Sequence, residues 1–164
     1  MSAARHRAMF VGVGNPFRSD DAVGIAVLHF IRSGIPSDVK VLEETGDGTE
    51  LLEVCRTADH VILVDAVQSG APPGTIHRID ASVEKLPSWF SRSSTHAFGV
   101  AEAIELARTM QELPASVVIY GIEGLDFSAG TELSPEVAQV LPKVAAQVLR
   151  EILATPLSES AHAK

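Results

Sequence analysis

The hydrophobic period of this chain switches repeatedly between strand-like runs and helical spacing, and that alternation limits the folds open to it more than any other feature. Residues 8–13 (AMFVGV) form a short apolar run that stops at Gly14-Asn15-Pro16. Val23, Ala26, Val27, Phe30 and Ile31 then recur at helical spacing until Gly34 and Pro36 end the pattern. The reading is a buried strand, a glycine turn and a helix.

The same exchange continues along the chain. Val39 to Leu42 alternates like a second strand, and GDGTELLEVCR (46–56) reads as a turn and a short helix started by Thr49. HVILVDAV (60–67) is a buried strand that carries an aspartate near its end, and TIHRI (75–79) follows a Pro-Pro-Gly turn as a fourth strand. Residues 82–95 show neither period and read as a long loop containing Trp89 and Phe90, which either contact a partner or anchor the loop. A helix over 96–110, a β-branched strand over 116–122 and a last helix opened by Ser134-Pro135 complete the order. Strands alternating with helices predict an α/β fold: a three-layer sandwich with a mostly parallel central sheet, whose ligands bind outside the carboxyl ends of the strands.

With 164 residues and 46% hydrophobic content, the chain suits one domain over residues 1–154 and a polar, disordered tail over 155–164. Its 13 Lys and Arg against 21 Asp and Glu give a net charge of -8, which argues against nucleic acid and anionic membrane as partners. The N-terminal apolar run is short and broken by glycines, unlike a signal peptide. A lone cysteine, Cys55, sits in an apolar helical setting that suits a core position. One cysteine excludes an internal disulfide and fits a reducing, cytoplasmic location.

The stretch VGVGNPFRSDDAVG (11–24) joins two conflicting signals. Gly12 and Gly14 suggest a phosphate-binding turn, but Phe17 stands where a dinucleotide fingerprint needs its third glycine. Asp20 and Asp21 would also meet a pyrophosphate head-on; two like unit charges ~4 Å apart repel by about 1 kcal/mol in water and several times that near a protein surface. The acids argue for a cation. Taken alone, they suit a helix start better still, where each carboxylate contributes roughly 0.3–1 kcal/mol through the helix dipole.

Asp65 and His96 change that balance. Asp65 closes the apolar run VILVD at a strand's carboxyl end, and His96 stands between a polar stretch and a helix. Asp21, Asp65 and His96 together offer two carboxylates and an imidazole, donors that suit a d-block divalent ion better than calcium and leave a position open for water or substrate. Gly12, Gly14 and Asn15 read as the turn architecture beneath them.

In order along residues 8–153, GVGNPFRSDDAVG, GDGTELLE, VILVDAV and STHAFGVAEAIELA resemble the hydrogenase maturation endopeptidases. That resemblance implies a phosphorylase/hydrolase-like α/β fold, with a twisted sheet flanked by helices, shared with germination proteases. It implies removal of a C-terminal extension from the large-subunit precursor of a nickel-iron hydrogenase after nickel insertion. The nickel is carried by the precursor, and other divalent metals can occupy the site. Family positions associated with nickel recognition fall on Asp21, Asp65 and His96.

Two departures stand out. Many relatives have glutamate at the position of Asp21, and the family's Asp-Gly-Gly-Thr segment corresponds here to Glu43-Glu44-Thr45-Gly46-Asp47-Gly48, where Asp47 and Glu43 both qualify as the counterpart. The metal either activates the scissile amide or only positions the peptide, with Asp20 or Asp21 as general base. Other readings are a nickel-dependent binder or chaperone without peptidase activity, and another metallohydrolase or germination-type protease on the same fold.

Overall fold

The computed structural model describes residues 6–155. Its elements are β1 (His6–Val13), α1 (Val23–Ile31), β2 (Val39–Glu44), α2 (Gly48–Thr57), β3 (Ala58–Val67), β4 (Ile76–Asp80), α3 (Ser88–Arg92), α4 (Val100–Thr109), β5 (Ser116–Glu123) and α5 (Pro135–Leu153). The strands form a five-stranded sheet in the order β2-β1-β3-β5-β4. All pairings are parallel except that of β4 with β5 at one edge.

Chain direction explains where the site lies. From β1 the chain crosses by α1 to β2 on one side, then returns by α2 to β3 on the other side of β1. Right-handed crossovers in opposite directions place α1 and α2 on opposite faces of the sheet. A crevice therefore opens between the carboxyl ends of β1 and β3, where the strand order reverses.

Strand alternation divides the core between those faces. Met9, Val11 and Leu63 pack with Leu51 and Val54 of α2 and Ile104 of α4. Phe10, Ile62 and Val64 pack with Val27 and Leu28 of α1 and Val144 and Val148 of α5. Each fully buried aliphatic or phenyl side chain contributes about 1.5–3 kcal/mol, so both helical layers are held to the sheet chiefly by these two clusters. Cys55 belongs to the first cluster as a free, buried thiol, and burial pushes its pKa up to about 11. Among the described residues, no helix is long and apolar enough to cross a membrane.

Several boundaries differ from the sequence reading. Asp20 and Asp21 lie in a 3-10 turn, Ser19–Ala22, and α1 begins only at Val23. The α2 helix starts at Gly48, because Asp47 is its N-cap and accepts the Thr49 N–H at 2.8 Å. The segment read as a loop over 82–95 contains α3, with Phe90 buried and Trp89 packed on His77 at a ring separation of 4.9 Å. These aromatics are anchors. The expected helix over 96–110 starts four positions late, at Val100, which leaves His96 in the preceding loop. Of the expected tail, residues 156–164 lie outside the described residues. Thr155 closes α5 through its N–H to the Ile152 carbonyl at 3.1 Å.

Candidate active site

The turn after β1 is built around Gly14. Its N–H bonds the Glu44 carbonyl at 2.9 Å, tying the ends of β1 and β2 together. Its φ is 151°, and a Cβ there would lie 1.9 Å from the Asp21 carbonyl oxygen. Only glycine lets the chain pass this close beneath Asp21. Asn15 then closes an Asx turn, its side-chain oxygen accepting the Phe17 N–H at 2.9 Å.

The two adjacent acids have opposite fates. Asp20 is fully buried. Its Oδ2 accepts the N–H groups of Leu125 and Asp126 at 2.8 and 2.9 Å and the Ser134 hydroxyl at 2.8 Å, while Oδ1 accepts the Ser134 N–H at 2.7 Å. A carboxylate so fully engaged has no access to substrate, which removes Asp20 as a general base. It instead joins the turn to the segment leading into α5. Asp21 faces the crevice, and its Oδ2 receives the Asn15 N–H at 3.0 Å and lies 3.7 Å from Arg18 Nη1.

Asp65 arrives from β3, in register with Gly121 of β5. It retains some accessible surface, yet protein surrounds it densely enough that burial pushes its carboxyl well above the ordinary range. The charge of Asp21 pushes in the same direction, and the Ala66 N–H, 2.8 Å from Oδ1, opposes it. His96 comes from the loop between α3 and α4. Its N–H bonds Ser94 Oγ at 2.9 Å, and its Nε2 lies 3.3 Å from the Thr45 carbonyl. A carbonyl can only accept, so in this pose Nε2 carries a proton and donates it to Thr45.

Asp21, Asp65 and His96 all border one small cavity of about 20 Å³, with Gly14 and Thr45 also in its wall. That space suits one water or one ion. A wider cleft of about 390 Å³ shares Gly14, Asp21, Thr45, Thr95 and His96 and adds Asn15 to Arg18. Among the described residues, no three His, Cys, Asp or Glu side chains are gathered closely enough to hold a metal ion by themselves. The three candidates line one cavity without forming a finished ligand set.

Neither candidate from the β2–α2 connection borders that cavity. Asp47 caps α2, and Glu43 pairs with His29 at 2.7 Å and Arg32 at 3.6 Å. Thr45 and Gly46 between them do line it, as do Ser93, Ser94 and Thr95. Small polar residues carry little signal in a sequence; their backbone path, not their chemistry, brings them here. Gly12 supports the site from behind, since a Cβ there would lie 2.6 Å from the Gly24 carbonyl oxygen.

The sequence and the fold both have known relatives. The model of a family described as hydrogenase maturation protease matches residues 28–151. The chain belongs to that family. The protease is 31% identical to the hydrogenase expression/formation protein HupD of Bradyrhizobium diazoefficiens, over 97% of this chain and 89% of the relative. It is 29% identical to the hydrogenase 2 maturation protease of Escherichia coli, over 87% of this chain and 88% of the relative. Among solved structures, the hydrogenase maturating endopeptidase HybD from E. coli superposes with a TM-score of 0.79 at 26% identity, covering 92% of this chain and 94% of that one. The protease thus shares both the sheet and the peptidase class of these proteins.

Proposed function

We propose that this endopeptidase removes the C-terminal extension from the large-subunit precursor of a nickel-iron hydrogenase once nickel is in place, and that Asp21, Asp65 and His96 are the residues that sense the metal. The observation that carries the reading is their convergence from three distant segments on one ion-sized cavity at the carboxyl ends of β1 and β3. Two carboxylates and an imidazole suit a d-block ion. An ion that enters with the precursor brings its own ligands, so three loosely set donors are enough to complete its shell.

The substrate's metal would polarise the scissile carbonyl or lower the pKa of an attacking water. With Asp20 sealed inside the fold, Asp21 is the carboxylate of the pair left to orient or deprotonate that water. Burial, and then the charge of Asp21, hold the Asp65 carboxyl above its ordinary range, and a cation beside it would favour the charged form. The lone buried thiol of Cys55 fits a cytoplasmic place of work.

The test mixes the protease with nickel-loaded and nickel-free precursor and follows the large subunit by mass. Shortening of the loaded form alone is expected. Cleavage of the nickel-free form would reject metal sensing, and binding without cleavage would favour the chaperone reading.

A further inference from the structure

The wider cleft contains one cation that the mechanism does not use. Arg18 is the only Lys or Arg, among the described residues, that lines the cleft or the inner cavity. Its backbone is held: its N–H bonds the Asn15 carbonyl at 3.1 Å, its carbonyl accepts the Asp21 N–H at 3.0 Å, and it forms an isolated bridge with Gly130. From this fixed base the guanidinium turns back to within 3.7 Å of Asp21 Oδ2.

That separation makes an ion pair without a good hydrogen bond, and both side chains keep some exposure, at 32% and 18%. Such pairs are weak and easily exchanged. The Asn15 N–H already bonds the same carboxylate oxygen at 3.0 Å, so Asp21 keeps its place if Arg18 leaves. The guanidinium therefore acts on the charge of the site more than on its shape.

Resting on the reading of Asp21 as a metal-sensing ligand, we propose that Arg18 is a built-in counter-ion that reserves Asp21 for a metal already held by substrate. A free divalent ion would enter with its full double charge beside the guanidinium. A metal bound in a precursor carries anionic ligands that reduce its net charge, and those ligands offer the displaced guanidinium new partners. Arg18 thus penalises free ions and spares substrate-held ones. Repulsion between a double and a single charge ~5 Å apart, fully screened by water, lowers affinity by about tenfold or somewhat more.

The experiment is calorimetric titration of the free protease with nickel chloride, for the natural chain and for Arg18→Leu, Arg18→Gln and Arg18→Lys. The two neutral variants are expected to bind nickel about tenfold more tightly, and Arg18→Lys to stay within about threefold of the natural chain. In processing assays, added free nickel should inhibit the neutral variants at correspondingly lower concentration. Equal affinity across all four proteins overturns the proposal, as does undetectable nickel binding in every one of them. A gain in Arg18→Lys as large as in Arg18→Leu also overturns it, because it would make shape the cause. No precursor is needed for the titration. Failure to cleave precursor would therefore reject the assigned function without touching this result, and unchanged titrations would leave that function standing.

Discussion

Asp20 and Ser134, separated by 114 positions, are joined twice: the Ser134 N–H bonds Oδ1 at 2.7 Å and its hydroxyl bonds Oδ2 at 2.8 Å. Ser134 is also the N-cap of α5, accepting the Val137 N–H at 3.4 Å. One buried carboxylate therefore fixes both the turn that presents Asp21 and the start of the last helix.

Removing that carboxylate leaves its buried donors unpaired, and breaking a buried charged network of this kind costs about 3–5 kcal/mol. Asp20→Ala is expected to lose that much stability in urea unfolding. Ser134→Ala, which removes the cap as well as one donor, should lose about 1–2 kcal/mol. Once folded at low temperature, Asp20→Asn should still process precursor. Complete loss of cleavage in a demonstrably folded Asp20→Asn would return Asp20 to the chemistry.

The neighbouring acid and its cavity partners behave in the opposite way. Asp21→Ala, Asp65→Ala and His96→Ala should each reduce processing below detection and leave the circular dichroism spectrum unchanged. Asp65→Asn adds a sharper test. The fold disfavours a charged Asp65, by burial first and then by Asp21, so the neutral variant should be inactive and yet melt at or above the natural temperature at neutral pH. Such an exchange of stability for activity is common at functional sites. A lower melting temperature would mean that the charged carboxylate supports the fold.

Glu44 gives stability a pH dependence. Burial, then its hydrogen bond and charge contact with Glu50, then the charge of Asp47 push its carboxyl up from 4.5 to about 7. The folded chain therefore holds a proton that the unfolded chain releases earlier, and stability falls as pH rises between those limits. The contribution is fully present below 4.5 and lost above about 7. Asp65, also raised, adds a fall of the same sign. Glu44→Gln should flatten the slope of unfolding free energy across this window, and a slope that stays the same or steepens would refute the pairing.

The strand and helix order was legible because the central strands β1, β3 and β5 are largely apolar runs and each long helix carries its own stripe. What escaped was non-local. Nothing near Asp20 in sequence announces Leu125, Asp126 and Ser134, so a buried latch read as a helix-start charge or a general base. Asp21, Asp65 and His96 were legible as chemistry because acids and an imidazole stand out at strand ends and before helices. Thr45 and Ser94 were not, since only the path of their loops brings them to the cavity. The resemblance to a family placed the three polar residues, but could not say that Asp47 caps a helix or that Glu43 turns toward α1.

Gly24 has a role that the sequence reading did not assign. A dinucleotide fingerprint would place its third glycine, the one that permits close helix–strand packing, at the position of Phe17. Gly24 supplies that packing at the start of α1, where a Cβ would lie 2.3 Å from the Val64 carbonyl oxygen and 2.4 Å from that of Val13. Both contacts are backbone, on the two strands that flank the crevice, so relief requires moving the helix. Gly24→Ala is expected to cost about 3 kcal/mol or more and to reduce processing in whatever fraction folds, because Asp21 travels with α1. Gly70→Ala is the control: its φ is 96°, but nothing lies within 4 Å of the added methyl group. That variant should lose only about 1–2 kcal/mol from the left-handed backbone and process normally. If the two alanines prove equally costly in urea unfolding, close packing at Gly24 is not what positions the site.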